Sequence, residues 1–141
     1  MKYFVEDPEL RQLYKKHDDD AGFDICAKQS YLLEDNKWHL IQTGLYLAIP
    51  KGHVGILKPR SGMSVQFNTD IHAGVLDSNY RGEVKVLVST EVTPLFIEKG
   101  TRIAQLLILE LPKIELEKVA TLSELGDTDR GAGGFGSTGS N

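Results

Sequence analysis

The chain has 141 residues, of which 40% are hydrophobic, and carries a formal net charge of −4. That length suits one domain, and that apolar fraction is sufficient to build a buried core. The acidic balance gives no basic excess of the kind that binds a nucleic-acid backbone, so we expect no nucleic-acid partner.

The sequence also indicates the compartment. Cys26 is the single cysteine, so no disulfide can form within the chain. The first ten residues, MKYFVEDPEL, contain no apolar run of signal-peptide length. No stretch approaches the roughly 18 apolar residues that span a bilayer. We therefore expect a soluble protein, cytoplasmic or otherwise intracellular, with no membrane partner.

Short apolar segments separated by turn residues run along most of the chain. After a first strand at Lys2–Val5, the capping Asp7 and the following proline predict one or two helical turns over Pro8–Lys15. The charged run His17–Asp20 predicts a solvated loop rather than a metal site. Further strands are predicted at Phe23–Ala27, Tyr31–Leu33, Trp38–Gln42, Gly44–Ile49, Val54–Lys58, Ile103–Leu109 and Glu115–Val119.

Two segments alternate apolar and other residues at every second position, as half-buried strands do. One contains Leu45, Leu47 and Ile49, and the other contains Val84, Val86 and Val88. Many short strands with little helix predict an all-β fold, a jelly-roll-like β-sandwich or barrel. We expect one domain over residues 1–126. Residues 127–141 are rich in Gly and polar residues and predict a mobile tail.

The segment Gly74–Val86 reads GVLDSNYRGEVKV and combines turn chemistry with a carboxylate. Asp77, Ser78 and Asn79 are turn residues between apolar flanks, so the segment predicts a β-hairpin. In the simpler interpretation, Asp77 caps the turn and Tyr80 packs on it. In the other, Asp77 activates a water molecule and Tyr80 contacts a sugar.

Four further segments carry residues suited to phosphate chemistry: AGFDI at Ala21–Ile25, PRSGMS at Pro59–Ser64, GTRIAQL at Gly100–Leu106 and RGAGGFGSTG at Arg130–Gly139. Each also has a simpler interpretation as a strand entry, a turn, an apolar strand or a flexible tail. PRSGMS places a fixed charge, a hydroxyl and a glycine in one turn, which suits an anion. A glutamine within the apolar strand GTRIAQL is costly unless its amide finds partners.

Taken in order, the five segments resemble the five motifs of the trimeric deoxyuridine triphosphatases, the dUTPase family. The resemblance extends from Ala21 to Gly139 and so covers almost the whole chain. Two positions depart from the family pattern: Asn79 and Thr101 stand where acidic residues are usual. Neither is the carboxylate that activates water in the family, so the resemblance implies the same chemistry.

The resemblance implies that the chain hydrolyses dUTP to dUMP and pyrophosphate, lowering dUTP to keep uracil out of DNA and supplying dUMP for dTMP synthesis. Asp77 would be the catalytic residue, accepting a proton from the water that attacks the α-phosphorus. The implied cofactor is Mg²⁺, faced by Asp24 and Gln105 through bound waters. The implied assembly is a homotrimer with shared active sites.

The resemblance also assigns the nucleotide contacts. Arg60 and its neighbours would grip the phosphates, Tyr80 would pack on the deoxyribose, and Phe135 would stack on uracil. The tail would close over a neighbouring subunit's site. The full expected set of nucleotide- and phosphate-binding residues is Arg60, Ser61, Gly62, Gly74, Val75, Leu76, Tyr80, Lys85, Gln105, Arg130, Phe135, Gly136, Ser137 and Thr138.

Two alternatives stay open at this point. A dCTP deaminase-like relative would share the fold, but the R-S-S-x-A-R stretch of that family is absent and PRSGMS stands in its place. A dUTPase-fold protein acting as a regulatory binding partner is the second alternative. Intact candidates at Asp77, Arg60, Gln105 and Phe135 argue against lost catalysis and leave a second role open.

Overall fold

The structure is a computed structural model, and it describes residues 1–34 and 37–133. In this part of the chain it is an all-β fold with little helix, as predicted. The strands are β1 Lys2–Val5, β2 Phe23–Cys26, β3 Tyr31–Leu33, β4 His39–Ala48, β5 His53–Pro59, β6 Thr69–His72, β7 Val75–Leu76, β8 Glu83–Thr90, β9 Leu95–Ile97 and β10 Arg102–Glu110. Helix α1 spans Ser61–Phe67, and a 3₁₀ helix spans Leu122–Leu125.

Two four-stranded antiparallel sheets enclose the core in a jelly-roll-type arrangement. One sheet has the order β1-β4-β8-β6 and the other β2-β10-β5-β7, while β3 and β9 form a separate pair. One contiguous apolar cluster joins the sheets. Among its fully enclosed members are Ile25, Leu33, Ile41, Leu45, Val84, Val86, Ile97, Ala104 and Leu106. Burial of this kind contributes about 25 cal/mol per Å² of apolar surface and is the main stabilising term.

The alternating segments behave as predicted, but β4 is a single strand where the sequence predicted two. A bulge at Thr43–Gly44 interrupts its register against β8. The Glu83 carboxylate accepts the amide hydrogens of Thr43 at 3.2 Å and Gly44 at 2.9 Å, so the bulge keeps its hydrogen bonds. Gly44 has φ +65°, which favours glycine. The predicted break is therefore a bend within one strand.

The helix predicted over Pro8–Lys15 is wrong, because tertiary pairing overrides the local helix signal. Gln12 is buried, and its side-chain Nε2 donates to the carbonyls of Cys26 and Thr43, both at 2.8 Å. The backbone then pairs with β2, with the Leu13 amide donating to the Asp24 carbonyl at 2.9 Å. These contacts tie residues 12–14 to both sheets in an irregular path that a helix cannot follow.

Three other expectations also fail. The hairpin predicted within Gly74–Val86 is wrong, because β7 pairs with β5 while β8 pairs with β4 and β6 in the other sheet. The PRSGMS segment begins helix α1 rather than forming an isolated turn. The strand predicted at Glu115–Val119 does not form, and Leu116 is 95% exposed because no strand or apolar face in the described chain covers it.

Within the described ranges, neither helical segment has the length and apolar content that crossing a membrane requires. The division between a domain ending at residue 126 and a tail from residue 127 stays a prediction.

Candidate functional site

A cavity of about 430 Å³ lies where β2, β10 and the C-terminal end of β5 come together. Three of the predicted motifs contribute to its wall: Asp24 on β2, the Arg60–Gly62 segment that leads into α1, and Gln105 on β10. The complete lining is Tyr14, Lys16, His17, Asp20, Ala21, Gly22, Asp24, Arg60, Ser61, Gly62, Arg102 and Gln105. The structure thus brings together segments that lie far apart in sequence.

The Asp24 carboxylate is shared between two arginines. Arg60 Nε donates to Oδ1 at 2.7 Å, and Arg102 Nη1 donates to Oδ2 at 3.1 Å. The side chain of Asp24 is only 15% exposed, so both bonds are partly shielded from water. One negative charge against two positive charges leaves this trio with a net charge of +1, which favours an anionic ligand.

Sequence reasoning assigned no role to Arg102, although its GTRIAQL segment was singled out. An arginine in an otherwise apolar strand could have identified Arg102 as a candidate, because its charge favours a partner of opposite charge. The partner is Asp24 on the adjacent strand β2, with which β10 pairs. Arg102 therefore fixes the carboxylate that in turn orients Arg60.

Gln105 meets its hydrogen-bonding needs at the cavity wall. Its Nε2 donates to the Pro59 carbonyl at 2.9 Å, which joins β10 to the end of β5. Its Oε1 lies against Gly22, where a Cβ would sit 2.8 Å from that oxygen and 3.0 Å from the Gln105 Cβ. Only glycine allows β2 and β10 to approach so closely with the amide in this position.

The residues in this wall suit a magnesium ion held through its own waters. Both Asp24 oxygens accept from arginines, but an ionised carboxylate has about four lone-pair sites, so it can also accept hydrogen bonds from water. In residues 1–34 and 37–133, no three His, Cys, Asp or Glu side chains are grouped to hold a metal directly. Mg²⁺ gives up its waters reluctantly, so an outer contact to Asp24 and Gln105 fits it.

Asp77 lies in a different cavity. This second cavity has a volume of about 630 Å³ and is lined by Ile49, Lys51, His53, Val54, Asp77, Ser78, Asn79, Arg81 and Leu111. None of the described residues lines both cavities. Within one chain, therefore, the predicted catalytic carboxylate does not lie near the predicted phosphate-binding residues around Arg60.

The register of β5 gives the size of this separation. Val75 pairs with Ile56 and Leu76 with Gly55, so β7 runs toward the N-terminal end of β5 and places Asp77 near Val54. Arg60 follows the opposite end of β5, six residues further along. At about 3.3 Å per residue in a strand, the two sites are roughly 20 Å apart.

The turn after Asp77 holds Tyr80 in a fixed orientation. The Tyr80 amide donates to the Asp77 carbonyl at 3.1 Å, and its hydroxyl donates to the Glu83 carbonyl at 3.0 Å. Gly82 passes so close to the ring that a Cβ there would lie 2.3 Å from the Tyr80 hydroxyl oxygen. Tyr80 is still 47% exposed, so the residue is accessible to a ligand.

The remaining predicted contacts are distributed over several elements. The Gly74 carbonyl accepts from the Leu57 amide at 2.7 Å and is committed to the sheet, whereas Val75 and Leu76 form β7. Lys85 lies on β8, in the other sheet, with an exposed side chain. Arg130 donates from Nε to the Gly133 carbonyl at 2.8 Å. Phe135, Gly136, Ser137 and Thr138 lie outside the described residues.

The comparisons with known proteins agree on one family. A family model described as dUTPase matches residues 9–139. The curated deoxyuridine 5'-triphosphate nucleotidohydrolase of Corynebacterium diphtheriae is 42% identical over 139 residues, covering 96% of this chain and 90% of the relative. The protein of the same name from fowlpox virus is 41% identical over 127 residues, covering 89% and 88%.

Solved structures show the same likeness. The Staphylococcus bacteriophage 80alpha dUTPase with dUPNHPP has a TM-score of 0.85 and 28% sequence identity to this chain, covering 98% of this chain and 97% of that one. The shared fold covers the cavity walls and the segment around Asp77.

The contact between Gly22 and Gln105 yields a stability prediction. Gly22→Ala should lower the free energy of unfolding by about 1–3 kcal/mol, because the added methyl forces β2 and β10 apart. Chemical denaturation measures the change. Gly62→Ala is the matched control, since nothing lies within 4 Å of its added Cβ and it sits in a helix that favours alanine. Equal effects of the two substitutions would contradict the close approach at Gly22.

Proposed function

The chain belongs to the dUTPase family, and we propose that it hydrolyses dUTP to dUMP and pyrophosphate by attack of water on the α-phosphorus. The family match over residues 9–139 and relatives above 40% identity support the reaction class. The electropositive cavity formed by Asp24, Arg60 and Arg102 supports a phosphate chain as its ligand.

The separation along β5 supports a site shared between subunits of a homotrimer. A water on Asp77 cannot reach a phosphorus held roughly 20 Å away at the other end of the strand. A second copy that presents its Asp77 turn to the first copy's Arg60 cavity removes this distance. A closed ring of three copies repeats the same contact at every site.

In the proposed reaction, Asp77 is the general base. Its carboxylate is exposed at the mouth of its own cavity and is therefore accessible to a water and to a neighbouring chain. The carboxylate accepts the proton of the water as the new oxygen–phosphorus bond forms and the bond to pyrophosphate breaks. Arg60, Arg130 and the Ser61 hydroxyl stabilise the charge that develops on the phosphates.

Selection of the nucleotide is assigned to the Gly74–Tyr80 segment and to residues beyond it. The fixed, half-exposed ring of Tyr80 packs on the deoxyribose and leaves no room for a 2′-hydroxyl. The backbone of Gly74–Tyr80 and of Lys85 reads the uracil edge, where a wrong base would leave polar groups unpaired. Phe135 stacks on the uracil face.

The cofactor in this proposal is Mg²⁺, which Asp24 and Gln105 would hold through bound waters. When bound, the ion neutralises charge on the triphosphate. Asp24 also holds Arg60 by the 2.7 Å bond described above, so the carboxylate orients the phosphate grip as well.

We assign residues 127–141 to a tail that closes over a neighbouring subunit's site. Its phosphate contacts would be Arg130, Gly136, Ser137 and Thr138, and its glycines allow the backbone to wrap the ligand closely.

The reaction would lower dUTP, keep uracil out of DNA and supply dUMP for dTMP synthesis. Because dUTP is an intracellular nucleotide, we assign the enzyme to the cytoplasm or another compartment inside the cell that holds dUTP.

The reaction is tested by measuring pyrophosphate release from dUTP, dCTP, dTTP and UTP in the presence of Mg²⁺. We expect release from dUTP alone, because dCTP presents a different hydrogen-bonding edge, dTTP carries an additional 5-methyl group and UTP carries a 2′-hydroxyl. Release of ammonia from dCTP, measured in a parallel assay, would indicate the deaminase-like alternative instead, because deamination leaves the triphosphate intact. Binding of dUTP without release of pyrophosphate would instead indicate a dUTPase-fold protein that acts as a regulatory binding partner.

The role of Asp77 is tested by Asp77→Asn, which keeps the size of the side chain but removes the base. Turnover should fall by roughly two or more decades, the scale of general-base loss, while dUTP still binds. Asp70→Asn, at an exposed position on β6, is the matched control and should keep normal turnover. If Asp77→Asn retained near-normal turnover, the assignment of the base would be wrong.

A further inference from the structure

One wall of the Arg60 cavity comes from a loop that none of the five motifs includes. Lys16, His17 and Asp20 line this cavity together with Arg60 and Ser61. Lys16 also borders a neighbouring cavity of about 440 Å³ that is lined by further cationic side chains at positions 11 and 102. The sequence predicted this stretch only as a solvated loop. In the structure, the loop places Lys16 in the same cavity as Arg60, the proposed phosphate-binding residue.

The loop is held in place at both ends. Before it, the Asp24 amide donates to the Tyr14 carbonyl at 2.8 Å, which ties the chain to β2. After it, Asp20 Oδ2 accepts the amide hydrogens of Lys16 at 3.1 Å and of His17 at 2.9 Å, and the Asp20 amide donates back to the His17 carbonyl at 3.1 Å. These bonds hold the backbone of Lys16 at the cavity, while its side chain is exposed.

The two carboxylates that line the cavity beside Lys16, Asp20 and Asp24, already have other hydrogen-bond donors. Asp24 is paired with Arg60 and Arg102, and Asp20 accepts backbone hydrogens. Those hydrogen bonds, led by the one from His17, lower the pKa of Asp20, so the carboxylate that shapes the loop is ionised at neutral pH. In the described ranges Lys16 makes no ion pair, so its charge is available to a ligand in the cavity.

We propose that Lys16 is a phosphate-binding residue of this site that contacts the triphosphate chain of the substrate, with His17 as a second donor from the same loop. A lysine acts there as a flexible point charge with three donors, which suits a phosphate chain. This inference rests on the proposed function in that the cavity ligand is taken to be a nucleoside triphosphate. Lys16 then helps the enzyme to bind the triphosphate and makes no contact with the monophosphate.

The chain offers a matched control one residue away. Lys15 carries the same charge, but its ammonium group lies 4.6 Å from the centre of the Phe23 ring and the residue is not part of the cavity lining. Lys15→Gln and Lys16→Gln therefore change the net charge equally. Only the second removes a positive charge from the wall. Lys16→Arg keeps the charge and serves as the conservative variant.

The test compares the three variants with the unaltered protein in KM and kcat for dUTP and in Kd for pyrophosphate with Mg²⁺ and for dUMP. Lys16→Gln should raise KM and the pyrophosphate Kd by about tenfold, the scale of one charged hydrogen bond, while the Kd for dUMP stays unchanged. Lys16→Arg should restore most of the affinity, and Lys15→Gln should stay within about twofold of the unaltered protein.

Two results would overturn the inference. One is equal behaviour of Lys16→Gln and Lys15→Gln toward pyrophosphate, which would make Lys16 an ordinary surface charge. The other is an equal loss of dUMP and pyrophosphate affinity in Lys16→Gln, accompanied by a lower Tm, which would make the residue structural. Failure of the proposed function looks different, because the unaltered protein would then release no pyrophosphate from dUTP.

Discussion

The length and direction of strand β5 constrain the rest of the structure. The proposed phosphate-binding segment follows the C-terminal end of this strand, and the short strand β7 pairs with it near its N-terminal end. In the proposed reaction, which needs both Arg60 and Asp77, the two residues would come from two chains, because a paired strand is rigid and keeps its ends apart. The single chain places the proposed phosphate-binding residues and the proposed catalytic carboxylate in two separate cavities.

Each half of the proposed site is fixed by its own short-range contacts. In one half, Asp24 joins two arginines, and the absence of a side chain at Gly22 lets β10 pack against β2. In the other half, Tyr80 is held by the Glu83 carbonyl and by its close contact with Gly82. Donors and rings that are pre-organised in this way would meet the proposed substrate without rearrangement, which lowers the cost of stabilising a transition state.

The sequence predicts the fold class well because period-two alternation, as at Val84 and Val86, directly reflects a strand with one buried face. Alternation does not identify a strand's partner, so the predicted hairpin at Asp77 was wrong. For the same reason, the distance between Asp77 and Arg60 could not be derived from the sequence. The motif residues follow from the resemblance to the dUTPase family, and their roles stay predictions. Contacts between distant segments, such as Arg102 with Asp24, depend on strand order, which local sequence does not contain.

The shared site is tested most directly by mixing two inactive variants. Asp77→Asn and Arg60→Gln subunits are each expected to be inert alone, and the two are refolded together in equal amounts. If every site takes Arg60 from one subunit and Asp77 from another, about one quarter of the sites in randomly mixed trimers regain both residues. Activity near one quarter of the unaltered level is therefore expected. Activity no higher than the sum of the two separate variants would contradict a site shared between chains.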